Sequence, residues 1–499
     1  MSAVNPPFRR DLVQPGEQGG LTKLFTAVAV FFAASMAALS GLQVGSGSKM
    51  AVVLPLAAAV GLAMAVLALT RFSVYVALML VLRSSLDIAK LSGSSAGNTA
   101  TNTTSTRGMD PSSLLAVLFL LMAALWLAAQ HRRQGGLPTP TWTRRALLWF
   151  VAAAALSVLG SANVQSSTLE LLRILATVMM FVVLDQMMVN RAVIKRILAA
   201  IYCAMLFPLA FTAFGLATGH ARTDLKGGYT RLAGTFQSSN DFGRFLMFML
   251  IMAVAIYPFL HRRWRKLLFL LMVPSFAFLA LTYTRTAIIG TVLGLVVVGV
   301  MQSKRLLLTL AVLAVCAAVA MPSLSSRFTS LGNSATAPGV VGPSGNSLAW
   351  RLSYWSEVLP LANSNPVTGI GINMTQYNTD AAKQPHNDFI RAYVEMGVLG
   401  LGAYIAMLIA FLALGRRAVR AGPPGTLDRG IGVGFLGCAV AFVAVSAAAN
   451  VMSNVVTLWY LFAFAAAASA VVRLNTGAAM APAATDLVNG SEGTVRGDQ

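Results

Sequence analysis

Acidic residues are scarce in this chain: 16 Asp and Glu stand against 37 Lys and Arg in 499 residues, and only 11% of the sequence is charged. So little charge cannot cover a soluble domain of this size, and the 57% of hydrophobic residues need surroundings other than water. A polytopic membrane protein is expected. Histidines number four and cysteines three. Cys203, Cys316 and Cys438 each lie inside an apolar run, which suggests neither a disulfide framework nor a Cys-based metal site and leaves them as small core hydrophobes. On the topology derived below, the outer acidic residues Asp87, Asp224, Asp241 and Asp380 make no Asp-x-Asp pair and meet no histidine cluster. Neither a divalent ion nor any other cofactor is expected. An internal repeat is also lacking. The net charge of +21 would suggest nucleic acid for a soluble protein, but in a membrane protein it follows first from retention of Lys and Arg on the cytoplasmic side. No nucleic-acid partner is expected.

What is present is a succession of apolar runs. At about 20 apolar residues per crossing, spans are predicted at about 24–44, 50–69, 72–86, 113–130, 146–162, 168–189, 197–218, 241–260, 267–283, 286–302, 306–322, 396–414, 430–449 and 454–472. The fold class is an all-α bundle of about 12–14 transmembrane helices, the third being weak because its apolar run is short and ends at Arg83. The first run, Leu24 to Val44, is too long for a signal-peptide core and reads as a retained span. Residues 267–302 are too long for one crossing, which requires a tight turn near Tyr283, Thr284 and Arg285. With the N-terminus inside, the basic pairs Arg132 and Arg133, Arg144 and Arg145, Arg262 and Arg263, Lys304 and Arg305, and Arg416 and Arg417 all fall on the cytoplasmic side, as the positive-inside rule requires. The order is then a cytoplasmic tail 1–23, spans over 24–322, one large external loop 323–395, spans over 396–472 and a disordered cytoplasmic tail 473–499. Residues 87–112 are of low complexity, and the sequon at Asn102 fits chance.

Within the large loop, Leu348, Leu352, Trp355 and Leu359 space an amphipathic helix from near Asn346, and Trp350, Tyr354 and Trp355 suit a position on the outer leaflet. The loop ends at Pro385 and His386. Proline suits a first helical turn, and Phe389, Ile390, Tyr393 and Val394 repeat at helical spacing, which places His386 in that turn. The positive end of the helix dipole disfavours imidazolium there, leaving a neutral imidazole able to accept a proton near pH 7. A surface histidine at a helix start is the plain alternative. Glu170, Arg173 and Asp185 fall within spans and need partners; Glu170 and Arg173, at i and i+3, can satisfy each other or line a lipid channel.

Several polar elements share the outer side: Arg231 followed by Gly234, Thr235, Phe236 and Asn240; Arg285 at the start of a span; Arg351 with Trp355; Pro366, Gly369 and Gly371; and His386-Asn387 with Gly397 and Gly400. Together they resemble the O-antigen ligase and O-antigen polymerase superfamily over roughly residues 225–405. One departure is Ser239, where a proline is common before the asparagine, which bears on the local turn. The resemblance implies a bacterial inner-membrane glycosyltransferase with its active site facing the periplasm. It would move a glycan from an undecaprenyl-diphosphate carrier to an acceptor hydroxyl without a metal. Implied partners are that donor, a lipid or glycan acceptor, the bilayer and other polysaccharide-assembly membrane proteins.

The residue types fit this chemistry. Arg231 and Arg285, at outer span ends, are suited to hold a diphosphate and stabilise charge as it leaves; snorkelling to headgroups is the alternative for each alone. His386 can serve as the base. Arg351 either binds phosphate or holds the loop by pairing with Glu357 or Asp388, the second being favoured. Asn240 and Asn387 are expected to orient by hydrogen bonding, and Gly397 and Gly400 to let the span approach a neighbour. Polymerase and ligase remain equally open. A lipid-linked oligosaccharide flippase or transporter is the alternative class, although such proteins usually show repeated halves and place charge at the bilayer midplane.

Overall fold

A computed structural model of the chain describes residues 50–85, 111–134, 141–226, 229–305, 307–309, 312 and 347–480. The tail 1–23, the first span, the low-complexity loop with Asn102, most of span 306–322, residues 323–346 and the tail beyond 480 lie outside the described residues. The helices are α1 (Met50–Thr70), α2 (Phe72–Arg83), α3 (Pro111–Gln134), α4 (Trp142–Ser157), α5 (Val164–Met187), α6 (Arg191–Cys203), α7 (Leu206–Ala217), α8 (Ser239–Ile256), α9 (Arg262–Leu281), α10 (Arg285–Gln302), α11 (Ser347–Val358), α12 (Asp388–Ala421), α13 (Leu427–Ser446) and α14 (Val455–Met480). Antiparallel strands β1 (Thr223–Lys226) and β2 (Tyr229–Leu232) form one hairpin in the register Asp224 to Arg231. The chain divides between Val76 and Ala77, within α2, into two units.

Nine helical stretches among the described residues are long and apolar enough to cross a membrane by length and composition. The chain is a polytopic helical membrane protein. Polar side chains start several helices where the apolar runs begin: Thr141, Asn163, Asn190, Ser238 and Thr426 each accept an amide of the first turn, satisfying donors that have no partner within the helix. In the second unit α14 is the most buried element, and α8 and α13 are nearly as enclosed. Its side chains from Val455 to Val471 are buried almost without interruption, so a helix apolar all round sits at the centre. The expected turn joins α9 to α10 at Thr282, Tyr283 and Thr284, with Tyr283 in the left-handed region at φ 48°. Helix α14 runs to Met480, past the expected end at 472. Arg473 on its last turns donates to Asp185 at 2.8 Å, and Arg144 from α4 donates to the same carboxylate at 3.0 Å. The buried Asp185 is thus paired at the bundle end away from the α9–α10 turn.

The largest departure from expectation is at Gly397. Helix α12 does not start at 396; it starts at Asp388 and is broken at Gly397, whose φ of 66° and ψ of −167° lie outside helical values. The break releases backbone groups, and the turn from Pro366 to Gly371 takes them up. The amides of Ile370 and Gly371 donate to the carbonyls of Val394 and Glu395, while those of Val398 and Leu399 donate to Pro366 and Val367. Only glycine fits the approach: a Cβ on Gly369 would meet the Glu395 carbonyl oxygen at 2.4 Å, and one on Gly397 the Val367 oxygen at 2.2 Å. The expected packing of Gly397 against a neighbouring span is replaced by this turn, and a Cβ on Gly400 would crowd Met396 and Ala392 at the bend itself. Gly397→Ala is therefore expected to cost at least the ~1–3 kcal/mol of a strained backbone, read as a lowered Tm in detergent with transfer activity lost alongside; an unchanged Tm would separate the turn from the stability of α12.

Candidate functional site

The starts of α8, α10, α12 and α14 gather at one end of the bundle, and the α13–α14 connection, residues 447–454, lies among them. Each arm of the site is built from a short local motif. Ser238 caps α8, accepting from the Asp241 amide, so Ser239 occupies the first helical position, which a proline would also suit. Serine retains an N–H there, and it donates to Asp224 at 2.7 Å. Serine here leaves the helix start in place and adds a bond to the hairpin.

Arg231 leaves β2 with 5% of its surface exposed and faces inward. Its Nε donates to the Thr282 carbonyl at 2.9 Å, and its Nη2 to Asn240 Oδ1 at 2.6 Å and Thr284 Oγ1 at 2.8 Å. Arg231 and Asn240 together brace the turn that immediately precedes Arg285. Arg285 opens α10, partly exposed, next to that turn.

Arg351 reaches across from α11. Its Nη1 donates to the Ala448 carbonyl at 3.0 Å, and among the described residues it has no carboxylate partner. The expected pairings are absent because both candidates are engaged: Glu357 accepts from the Asp380 amide, and Asp388 from the amides of Val451 and Met452. Burial, and after it the like charges of Arg244 and Arg285, push the Arg351 guanidinium down from its ordinary value. Three arginines therefore share one electrostatic neighbourhood. Arg244, one turn into α8, is buried; its Nη1 donates to the Asn450 carbonyl at 3.1 Å and lies 3.6 Å from Asp241, while its Nε has no hydrogen-bond partner among the described residues.

The expected face of α11 needs correction. Tyr354 and Val358 are buried, packing with Ala362, Ile370, Met374 and Val394, and Trp350 lies against them. Leu352 and, one residue past the helix end, Leu359 point outward, 56% and 41% exposed. The helix has two apolar sides, and the aromatic one faces the loop's own core because Trp350 stacks on Tyr354 at 5.0 Å.

His386 is not within a helical turn. Asn387 is the cap, its Oδ1 accepting from Phe389 and Ile390, so the helix starts at Asp388 and Pro385 stands ahead of it. Asparagine outcompetes the proline signal because it satisfies two orphan amides directly. Its oxygen is thus used within the chain, as is that of Asn240. His386 adopts φ 53°, uncommon for any residue but glycine. The ring stands edge to face with Trp350 at 6.1 Å, and its Nδ1 lies 3.3 Å from Asn450 Nδ2. Trp355 Nε1 donates to the Pro385 carbonyl at 2.6 Å, so α11 places both Arg351 and the segment bearing His386.

The first turns of α12 carry a buried ionic network. Arg391 donates through Nη2 to Glu170 and through Nε to Glu395, both at 2.9 Å, and also to Ser453. Arg173 adds a second cation to Glu170 at 3.2 Å, and Glu395 accepts from the Asn373 amide and the Thr375 hydroxyl. The Glu170–Arg173 pairing expected at i and i+3 is present within a larger set. Sequence reasoning passed over Arg244, Asn450, Arg391 and Glu395. Arg391 and Glu395 stand at i and i+4, Arg244 interrupts a predicted span, and Asn450 sits in the short polar break between two others; each was a usable signal. Among the described residues no three of His, Cys, Asp and Glu gather as a metal site would require.

In comparison with known proteins, residues 267–405 match the family model described as O-antigen ligase. The matched stretch includes Arg285, Arg351, His386 and the two glycine elements, and begins after Arg231 and Asn240. No curated protein matches the chain.

Proposed function

From residues 267–405, which match the family model described as O-antigen ligase, we propose a glycosyltransferase that moves a glycan from an undecaprenyl-diphosphate carrier to an acceptor hydroxyl on the periplasmic side. One observation carries this reading: Arg351, which has no carboxylate partner of its own among the described residues, shares an electrostatic neighbourhood with Arg244 and Arg285 and stands next to Trp350, whose ring meets an imidazole held in a left-handed backbone. Mutually repelling guanidiniums are stabilised by a polyanion, and a diphosphate presents oxygens to several of them at once. His386 takes the proton of the acceptor hydroxyl. The acceptor oxygen forms its bond to the anomeric carbon as the bond from that carbon to the diphosphate breaks, with inversion in a single displacement. Arg285, Arg351 and Arg244 stabilise the charge that collects on the departing diphosphate. Arg231 serves by bracing residues 282–284 rather than by touching the diphosphate, and Asn240 shares that task. The acceptor is a lipid core or another lipid-linked repeat unit, and proteoliposomes supplied with each in turn distinguish ligase from polymerase.

The test is transfer in proteoliposomes given lipid-linked donor. Arg351→Ala is expected to lower turnover by about 10²–10³, as removal of one charge-stabilising donor does, and Arg351→Lys to recover part of it because charge remains without the fork. Full activity in the Ala variant would remove Arg351 from the anion site. Reporter fusions at residues 230 and 370 are expected outside and those at 264 and 422 inside; a cytoplasmic signal at 370 would place the site on the wrong side for this donor.

A further inference from the structure

Asn450 lies in the α13–α14 connection with 7% of its surface exposed, and its amide bears on His386 in two ways. Nδ2 stands 3.3 Å from the imidazole Nδ1, and Oδ1 is buried with no hydrogen-bond partner among the described residues. The two ends of an amide exchange places on a half-turn about χ2. With Nδ2 toward the ring, Nδ1 can only accept, the proton of the neutral imidazole sits on Nε2, and Nε2 has no lone pair for an acceptor's proton. With the amide turned, Oδ1 accepts from Nδ1–H and Nε2 carries the lone pair. The turned form gives the oxygen its partner at Nδ1 and moves the NH2 group into the buried place the oxygen held, so the two forms differ chiefly in which tautomer of His386 they hold.

We propose that Asn450 is a positioning residue for the transfer reaction, its Oδ1 accepting from Nδ1–H and holding His386 in the tautomer whose Nε2 can receive a proton. This rests on the reading of His386 as the base. The backbone around Asn450 is fixed for such a role: its carbonyl accepts from Arg244, the next amide, that of Val451, donates to Asp388, and the Ala448 carbonyl accepts from Arg351. The connection is thus tied to α8, α11 and α12, and the Trp350 ring stands edge to face with the imidazole. The charged groups on the elements packed here are Asp388 on the segment of His386, Arg244 and Arg351 bonded to the carbonyls of Asn450 and Ala448, Arg285 in the electrostatic neighbourhood of Arg351, and Lys383, whose Nζ lies 5.2 Å over the Trp350 ring. A carboxylate in place of Asn450 would add an anion at the Nδ1 edge.

Two measurements on the full chain in nanodiscs test this. With ¹⁵N-labelled histidine the chain has four imidazoles, and the signal lost in His386→Gln identifies His386. The expected neutral form carries its proton on Nδ1; a proton on Nε2 overturns the proposal without reference to any substrate. In transfer assays with lipid-linked donor, Asn450→Ala is expected to lower kcat by roughly 10–100-fold, as loss of a partner that orients an imidazole does, with the donor KM unchanged. Asn450→Asp keeps the acceptor oxygen, so it is expected to restore most of kcat and to move the rising limb of the pH profile about one unit higher, because an anion favours imidazolium. An Asp variant as poor as the Ala variant, with an unmoved limb, overturns the proposal. If the rising limb of the native protein persists in His386→Gln, the base assignment itself fails, an outcome distinct from either of these.

Discussion

Replacing His386 by glutamine is expected to lower glycan transfer by about two to four orders of magnitude, the usual contribution of a positioned general base, while binding of the lipid-linked donor persists. Glutamine keeps a hydrogen-bonding group near the acceptor but cannot carry its proton away. The expectation rests on a division of labour: the cations nearest the site, Arg244 and Arg351, are anchored to carbonyls of the α13–α14 connection and do not depend on the imidazole for their places. Donor affinity in the His386→Ala variant should therefore match that of the native protein, measured by titration of a fluorescent lipid diphosphate. Near-native turnover in the glutamine variant would leave His386 with an orienting role and assign the proton to water or another group. Loss of donor affinity in the alanine variant would make the imidazole part of the diphosphate site.

Arg391→Met is expected to have the largest effect on stability. The side chain is a buried cation shared between Glu170 on α5 and Glu395 on its own helix, and its removal leaves carboxylates buried with part of their compensation gone. Breaking a buried ion pair from one side costs about 3–5 kcal/mol. Arg173 still reaches Glu170, and the Asn373 and Thr375 groups still reach Glu395, so the chain should insert into membranes and yet unfold at a markedly lower temperature in detergent. The triple change Arg391→Met with Glu170→Gln and Glu395→Gln removes the uncompensated charges together and should recover much of the loss. A single variant as stable as the native protein would show that water reaches the network and screens it.

The helices were legible because their signal is composition over some twenty residues, which survives errors at individual positions. The α9–α10 turn was equally legible, from the limit that membrane thickness sets on helix length. What failed was local competition. Pro385 reads as a helix start, but the hydrogen bonds made by Asn387 put the start at Asp388. On α11 the leucine spacing was real, but Trp350, Tyr354 and Val358 give a second apolar side, and the larger surfaces found partners inside the loop. Of the candidate site residues, His386 and Arg351 meet the α13–α14 connection and Arg285 shares the electrostatic neighbourhood of Arg351, whereas Arg231 and Asn240 brace a turn and Asn387 caps a helix. Arg244 and Asn450 each carried a local signal, but nothing in the sequence joined them: the bond from guanidinium to carbonyl links residues 206 positions apart.

The interrupted helix also dictates where this protein can be cut and rejoined. The four bonds between residues 366–371 and 394–399 are all made by main-chain groups, so they ask little of side chains beyond glycine where the two backbones touch. A chimera that exchanges the loop at a junction of 395 and 396 would separate Val394 and Glu395 from Val398 and Leu399, and so divide one interlocked joint between two parents. A junction moved past Gly400 would carry the joint whole. The loop then arrives with its own hinge pin, and two parents of quite different sequence could supply the loop and the membrane helices without mismatch at the seam.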